Sequence, residues 1–283
     1  ATNLNSLENL EQHLLPGLEP NGVPKSLEGS TIPFRFNDLE EIKRIINNND
    51  LAAVKMEVQR SEKPNDGYLE AISAMCKEKG IVLIFDECTS GFRETFGGIH
   101  LKYEVQPDIA LFGKALGNGF AITAILGKSE VMEAVQKTFI SSTFWTERIG
   151  PTAALKTLEI MEKERSWEYI TEIGKYIQQS WKEIASNNYL PISVHGIPAL
   201  SVFSLKLKNW QKYKTFISQE MLESKILASD KIYVSTCHNK NNINRYLNKL
   251  DEIFSKIKNI DEKDNIDNYL KGPVCGSGFS RLN

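Results

Sequence analysis

The sequence predicts an α/β fold, a mainly parallel sheet with helical crossovers followed by a smaller α+β unit. Three observations carry this reading. Ile81-Val-Leu-Ile-Phe85 is an apolar run without alternation, the pattern of a strand buried on both faces, and it ends on Asp86-Glu87. Around it, segments with helical periodicity alternate with short apolar runs, the strand, helix, strand order of parallel crossovers. Beyond Pro151 the pattern changes to long amphipathic helices separated by short strands.

Taken in order, residues 1 to 33 hold Pro16-Gly17, Pro20, Pro24 and Gly29 without apolar periodicity and predict an irregular segment. Asp38 is placed to cap a helix with Leu39, Ile42, Ile45 and Ile46 on one face, and Leu51 to Val58 follows as a strand. A helix from about Gly67 to Lys79 turns Leu69, Ile72 and Met75 inward and stops at Gly80. Strands are predicted over 81–86, 108–112 and, last in this sheet, 121–126, after which Ser129 caps a short helix. Pro151 suits the first turn of a long helix bearing Ala154, Leu155, Leu158 and Met161. A second helix from Ser166 carries Trp167, Ile170, Ile173, Ile177, Trp181 and Ile184, and both tryptophans are expected in the core. Strands at 192–195, 200–205 and 232–235, with helices around 213–223 and 243–257, complete the α+β unit.

Composition narrows the function class. Of 283 residues, 41% are hydrophobic and 25% charged, which argues against global disorder and for one large or two modest domains. The balance of 34 Lys plus Arg against 36 Asp plus Glu leaves a net charge of -2, so no nucleic-acid or anionic-membrane partner is expected. No apolar run approaches the ~18 residues of a membrane helix, and the N-terminus has no basic start with an apolar core. Four cysteines without C-x-x-C and four histidines without metal-ligand spacing point to reduced thiols, no metal and a cytoplasmic location.

The chemistry concentrates at Asp86 and Lys114. Asp86 closes a strand at the carboxyl end, where open α/β sheets present their ligands, and Lys114 comes 28 residues later, just past the next strand. A glycine-flanked lysine alone is more often a surface turn. An acid and an amine on one sheet edge are, however, what a pyridoxal phosphate (PLP) site requires: a lysine to form a Schiff base and a carboxylate to keep the pyridine nitrogen protonated. The rival reading of an apolar strand ending in Asp-Glu is the Walker B strand of an ATPase. It needs an upstream G-x-x-x-x-G-K-[ST], and the nearest approach, Gly127-Lys-Ser129, lies downstream with Ile122 at the leading position.

Asp86-Glu-Cys-Thr-Ser-Gly-Phe-Arg93, Gly97-Gly98, Gln106-Pro107-Asp108, Gly113-Lys114 and Ser142-Thr-Phe144 before a proline-led helix, in this order, resemble the class III PLP-dependent aminotransferases, and within them the glutamate-1-semialdehyde aminomutase-like branch. The likeness runs through most of the chain. It implies PLP-dependent transferase fold type I, with residues 1–155 as the C-terminal part of the PLP-binding large domain and 156–283 as the small domain. It also implies a homodimer with its active site at the interface, a small-molecule amino donor and a carbonyl acceptor. By the same resemblance Lys114 is the nucleophile and carries the migrating proton, and Asp86 anchors the ring nitrogen. Cys88 and Thr89 contact the cofactor where relatives have an aliphatic residue and Gln or Met, and Thr143 reaches the partner's PLP phosphate. Glu57 matches the glutamate of an E-P-[IV] stretch with Val58 in place of proline, while Arg60 and Arg93 stand as possible carboxylate partners.

The small-residue phosphate loop of the S-G-[ST]-E-A kind and the aromatic that stacks on the ring are absent from the sequence. The expectation is a chain without roughly the first third of the enzyme, binding PLP weakly by itself. The alternative from another class is a non-catalytic fragment that serves only as an interaction or scaffold module.

Overall fold

Asp38 opens the first helix of this computed structural model, which describes residues 24–276 apart from 28, 142 and 145. Its carboxylate accepts the Glu41 N–H at 2.9 Å, satisfying one of the unpaired donors of the first turn of α1 (Leu39–Asn48), whose Ile42, Ile45 and Ile46 face inward. Strand β1 (Ala53–Glu57) follows, then α2 (Tyr68–Lys79), which stops at Gly80 because the chain there turns left-handed at φ 68°. Strands β2 (Val82–Asp86), β3 (Ile109–Phe112) and β4 (Ala124–Gly127) complete a four-stranded sheet in the order β1-β2-β3-β4. The first two pairings are parallel and the third antiparallel.

Three expectations need correction here. The apolar run at 81–85 does not make a strand buried on both faces: Leu83 and Phe85 are buried, whereas Val82, Ile84 and Asp86 on the opposite face are only half covered. The reason is one-sided packing, since Ile42 and Ile46 of α1 and Leu69, Ile72 and Cys76 of α2 join Val54, Met56, Leu83 and Phe85 in a single core. Ser129 does not cap the next helix but is the first residue of α3 (Ser129–Met132), behind Lys128 at the cap position with no side-chain bond. The last strand of the sheet also starts at Ala124, three residues later than its apolar run.

Helix α4 (Ile149–Glu164) holds Pro151 in its first turn and packs Ala154 against Phe92, Ala110, Phe112 and Leu116 on the covered side of the sheet. After the left-handed Arg165 comes α5 (Ser166–Asn187), then β5 (Ile192–His195) and β6 (Leu200–Leu205). Next come α6 (Trp210–Glu223), β7 (Lys231–Tyr233) and α7 (Lys240–Glu262). The three strands form an antiparallel sheet, β5-β6-β7, covered by the apolar stripes of the helices. Trp181 sits fully buried in this core, edge-on to Phe203 at 4.8 Å, with its indole N–H donated to Tyr246 Oη at 2.9 Å. Trp167 is not a core residue: it is half-buried at the start of α5, with its ring 5.3 Å from that of Phe96 and under the Arg165 guanidinium. No helix among the described residues is long and apolar enough to cross a membrane.

The two sheets share contacts. The N–H groups of Gly196 and Ile197 donate to the carbonyls of Ser61 and Arg60 at 3.1 and 3.2 Å, and Ile197 is buried within the core of the first sheet.

Candidate active site

The parallel register of β1, β2 and β3 puts the chain's chemistry at one edge. Asp86 ends β2 opposite Glu57 of β1 and Leu111 of β3, and two residues beyond Phe112 the chain reaches Lys114. The loop that leaves β2 folds back over this edge, so that Lys114 Nζ donates to Thr89 Oγ1 at 2.7 Å. Cys88 lies between the two groups and feels the charges of Asp86, Lys114 and Lys55. Burial and then the neighbouring Asp86 carboxylate push its thiol pKa up, which makes it a neutral, packing side chain. Asp86, Cys88, Thr89 and Lys114, picked out in the sequence, are thus brought together.

Asp86 is held as a carboxylate. Its partial burial acts to raise its pKa, but Lys55, with Nζ 2.8 Å from Oδ2, and the Cys88 N–H, 3.2 Å from Oδ1, outweigh that and hold it below the usual carboxylate value. Lys114 has φ 46°, a left-handed conformation unfavourable for a side chain with a Cβ. Strain of this kind persists only where surrounding structure enforces it. The residue itself is exposed rather than enclosed, because the loop over 88–91 walls it on one side and a cavity of about 550 Å³ opens on the other. That cavity runs between the lysine loop, α4 and the Val234 to Thr236 segment, and Arg93 also lines it.

The buried residue that sequence reasoning missed is Glu87. With no exposure, it takes the Ser90 hydroxyl on one carboxylate oxygen, and on the other the His100 N–H at 3.0 Å, with His100 Nδ1 at 2.8 Å. It ties both ends of the loop that carries Cys88 and Thr89 and so fixes Thr89 opposite Lys114. Its only sequence signal was its place beside Asp86. Asp108 does similar work at the amino end of β3, accepting the Leu83 N–H at 2.8 Å and pairing with Lys128 at 2.7 Å.

Other sequence candidates fall elsewhere. Arg60 pairs with Glu57 at 3.5 Å. Arg93 is half-buried, its Nε is enclosed without a hydrogen-bond partner among the described residues, and burial lowers its pKa. Thr143 lies exposed in the turn before α4, and no hydrogen bond among the described residues ties it to Asp86 or Lys114. Its neighbour Ser142 lies outside the described residues.

The donor set fits pyridoxal phosphate at two of its ends: a carboxylate held ionised suits a protonated ring nitrogen, and an amine on a flexible stem beside a hydroxyl suits the aldehyde and the phenolic oxygen. The phosphate end has no counterpart within this cluster.

The family profile described as aminotransferase class-III matches residues 23–253. The chain is 34% identical to 3-aminobutyryl-CoA aminotransferase of Cloacimonas acidaminovorans (strain Evry) over 211 residues, covering 70% of this chain and 48% of that one. It is 33% identical to glutamate-1-semialdehyde 2,1-aminomutase of Natronomonas pharaonis over 191 residues, covering 63% and 42%. Among solved structures, the FumI protein of Sphingopyxis sp. MTA144 in a PLP form superposes with a TM-score of 0.78 at 19% identity, over 84% of this chain and 60% of that one. An omega-transaminase from Sphaerobacter thermophilus gives 0.74 at 20%, over 83% and 59%. The chain spans about half the length of the curated relatives it matches. The overall fold is that of PLP-dependent transferases of fold type I, and the chain belongs to the class III aminotransferases.

Proposed function

We propose that this chain carries the lysine-bearing part of a PLP-dependent aminotransferase or aminomutase, moving an amino group between a small amine or amino acid and a carbonyl, or within one substrate. The observation that carries the reading is the cluster of Asp86, Thr89 and Lys114 at the carboxyl edge of β2 and β3, with the lysine amine 2.7 Å from the threonine hydroxyl. Bound there, PLP supplies an electron sink for the substrate carbon. Lys114 is the covalent attachment point, and its amine is the base that takes and returns the proton of that carbon. Asp86 keeps a negative charge against the ring nitrogen, Thr89 orients the lysine, and Cys88 packs beside the ring. Arg93, a cation on the cavity wall whose Nε has no hydrogen-bond partner among the described residues, suits an acidic group of the substrate.

Three further parts belong to this reading. Residues 1–155 form the PLP-binding large domain, in its C-terminal part, and 156–283 the small domain. Thr143, exposed before α4, serves the phosphate held by a second copy, which makes the active form a homodimer. The location is cytoplasmic, in keeping with free cysteines at 76, 88, 237 and 275. The relatives' substrates, 3-aminobutyryl-CoA and glutamate-1-semialdehyde, head the panel for amino-exchange assays.

The test is borohydride reduction of the PLP-treated protein followed by peptide mapping. We expect the phosphopyridoxyl label on Lys114. A label confined to other lysines, or none on a protein that retains the cofactor, overturns the assignment.

A further inference from the structure

Lys55 is an unusual residue for its position. It lies in the middle of β1 on the half-open face of the sheet, where its neighbours are Ala53 and Glu57 on its own strand and Val82, Ile84 and Ile109 across the register. Lysine is disfavoured in a strand among apolar side chains, and the carboxylates on this face, Glu57 and Asp86, both stand at its carboxyl edge. Its Cα partner is Ile84, yet the side chain runs along the sheet to Asp86, two residues nearer the carboxyl edge, and brings Nζ to 2.8 Å from Oδ2. The remaining oxygen, Oδ1, already accepts the Cys88 N–H at 3.2 Å. The carboxylate that suits a ring nitrogen is thus engaged on both oxygens by the chain itself.

We propose that Lys55 is the internal counter-ion of Asp86 and competes with the protonated ring nitrogen of PLP for that carboxylate, so that this one lysine sets how tightly the site takes the cofactor. The proposal rests on the reading of Asp86 as the ring-nitrogen anchor. A carboxylate has lone pairs for more than two donors, but two cations on one carboxylate repel each other, and the repulsion is strong where water is partly excluded. The Asp86 side chain is 23% exposed, which places the contest in such a region. The lysine is the partner able to yield. Its side chain is 56% exposed and hangs on a four-carbon stem, so it can swing into water, at the cost of the ion pair it leaves. Removing its charge removes that cost.

The test uses the 283-residue chain in three forms: wild type, Lys55→Met, which keeps the stem and drops the charge, and Lys55→Arg, which keeps the charge. Each is titrated with PLP at pH 7.5, followed by absorbance and by protein fluorescence, and with the 1-deaza analogue, whose ring carries C–H in place of nitrogen. We expect Lys55→Met to bind PLP about three- to fivefold more tightly than wild type, Lys55→Arg to stay within about 1.5-fold of it, and the deaza analogue to show no gain with Lys55→Met. In the cofactor-free chain, carbon-13 NMR should find the Asp86 carboxyl titrating at higher pH in Lys55→Met. Equal or weaker PLP binding by Lys55→Met, an equal gain with the deaza analogue, a gain that persists in an Asp86→Asn background, or no binding by any form overturns the proposal. Reductive labelling of Lys114 in the same samples reports separately on the family chemistry, so a failure there is distinguishable from a failure of Lys55 to compete.

Discussion

At the scale of single residues, the site depends on which charges are held and which are free. Asp86→Asn is nearly isosteric and removes only the anion, so it should leave the melting temperature within a few degrees. On the proposed function, the amino-transfer half-reaction should slow at least a hundredfold, about 2.7 kcal/mol of barrier. A rate within threefold of wild type would take Asp86 out of the chemistry. Asp86 also predicts a pH effect on stability. Its folded pKa lies below its ordinary value of 3.8, so the stabilisation it contributes is fully present above that value and is lost as pH falls through the folded one. Wild type should therefore lose urea resistance on acidification below about pH 4. Lys55→Met should flatten that loss, by no more than ~1 kcal/mol because the lysine is largely in water. The thiols offer an independent check. Burial raises the Cys76 pKa to about 11 while Cys237 is exposed, so a thiol reagent at pH 8 should modify Cys237 in the folded chain and spare Cys76 until the chain unfolds.

At the scale of elements, α5 is placed by a close approach that only a glycine allows. A Cβ on Gly174 would stand 2.1 Å from the Pro198 carbonyl oxygen, so the helix lies directly on the 196–199 turn, where Gln178 also donates to the Gly196 carbonyl at 3.1 Å. Alanine would gain about 1 kcal/mol of helix propensity on an exposed helix. Here the forced backbone shift costs about 1–3 kcal/mol and the net effect is destabilising. Gly174→Ala should lower the melting temperature by several degrees in calorimetry; an unchanged or higher value would mean that α5 moves away freely. The loop over 88–100, which meets α5 where the Thr171 hydroxyl donates to the Arg93 carbonyl at 3.1 Å, depends on Glu87, since one buried carboxylate holds Ser90 and His100 together.

At the scale of the whole molecule, the two sheets are coupled through a small set of groups. Ile197 comes from the turn between β5 and β6 but packs with Val54, Leu83 and Phe85, and its N–H and that of Gly196 bind the carbonyls of Arg60 and Ser61. A residue buried to 1% exposure in a core that is not its own sheet's transmits stability in both directions. Ile197→Ala should cost about 2–5 kcal/mol, and tryptophan fluorescence, to which the buried Trp181 of the second core contributes, should unfold at lower urea together with the far-UV signal. A variant in which only one of the two signals shifts would show that the units unfold independently.

The helices and strands were legible in the amino-acid order because periodicity encodes local backbone geometry: Asp38 before an apolar stripe, Gly80 after one, and five apolar residues running into Asp86 each act within a few residues. Asp86 and Lys114 were legible for a related reason, since both stand just past strand ends and the carboxyl ends of parallel strands share an edge. Thr89 was expected as a contact of the cofactor, but its hydrogen bond to Nζ, the burial of Glu87 and the turning of Trp167 toward Phe96 needed the loop to close. The reach of Lys55 to Asp86 needed the register of β1 on β2, which depends on side chains far apart in sequence fitting one another. The half-open face of that sheet had the same origin, for an apolar run specifies a strand but not what lies against each side of it. The sequence by itself therefore determined most of the elements, the family and the places of Asp86 and Lys114 just past two strand ends, because those follow from local pattern. Which charge meets Asp86, and which face of the sheet stays open, were decided by tertiary structure, because they follow from pairing across the chain.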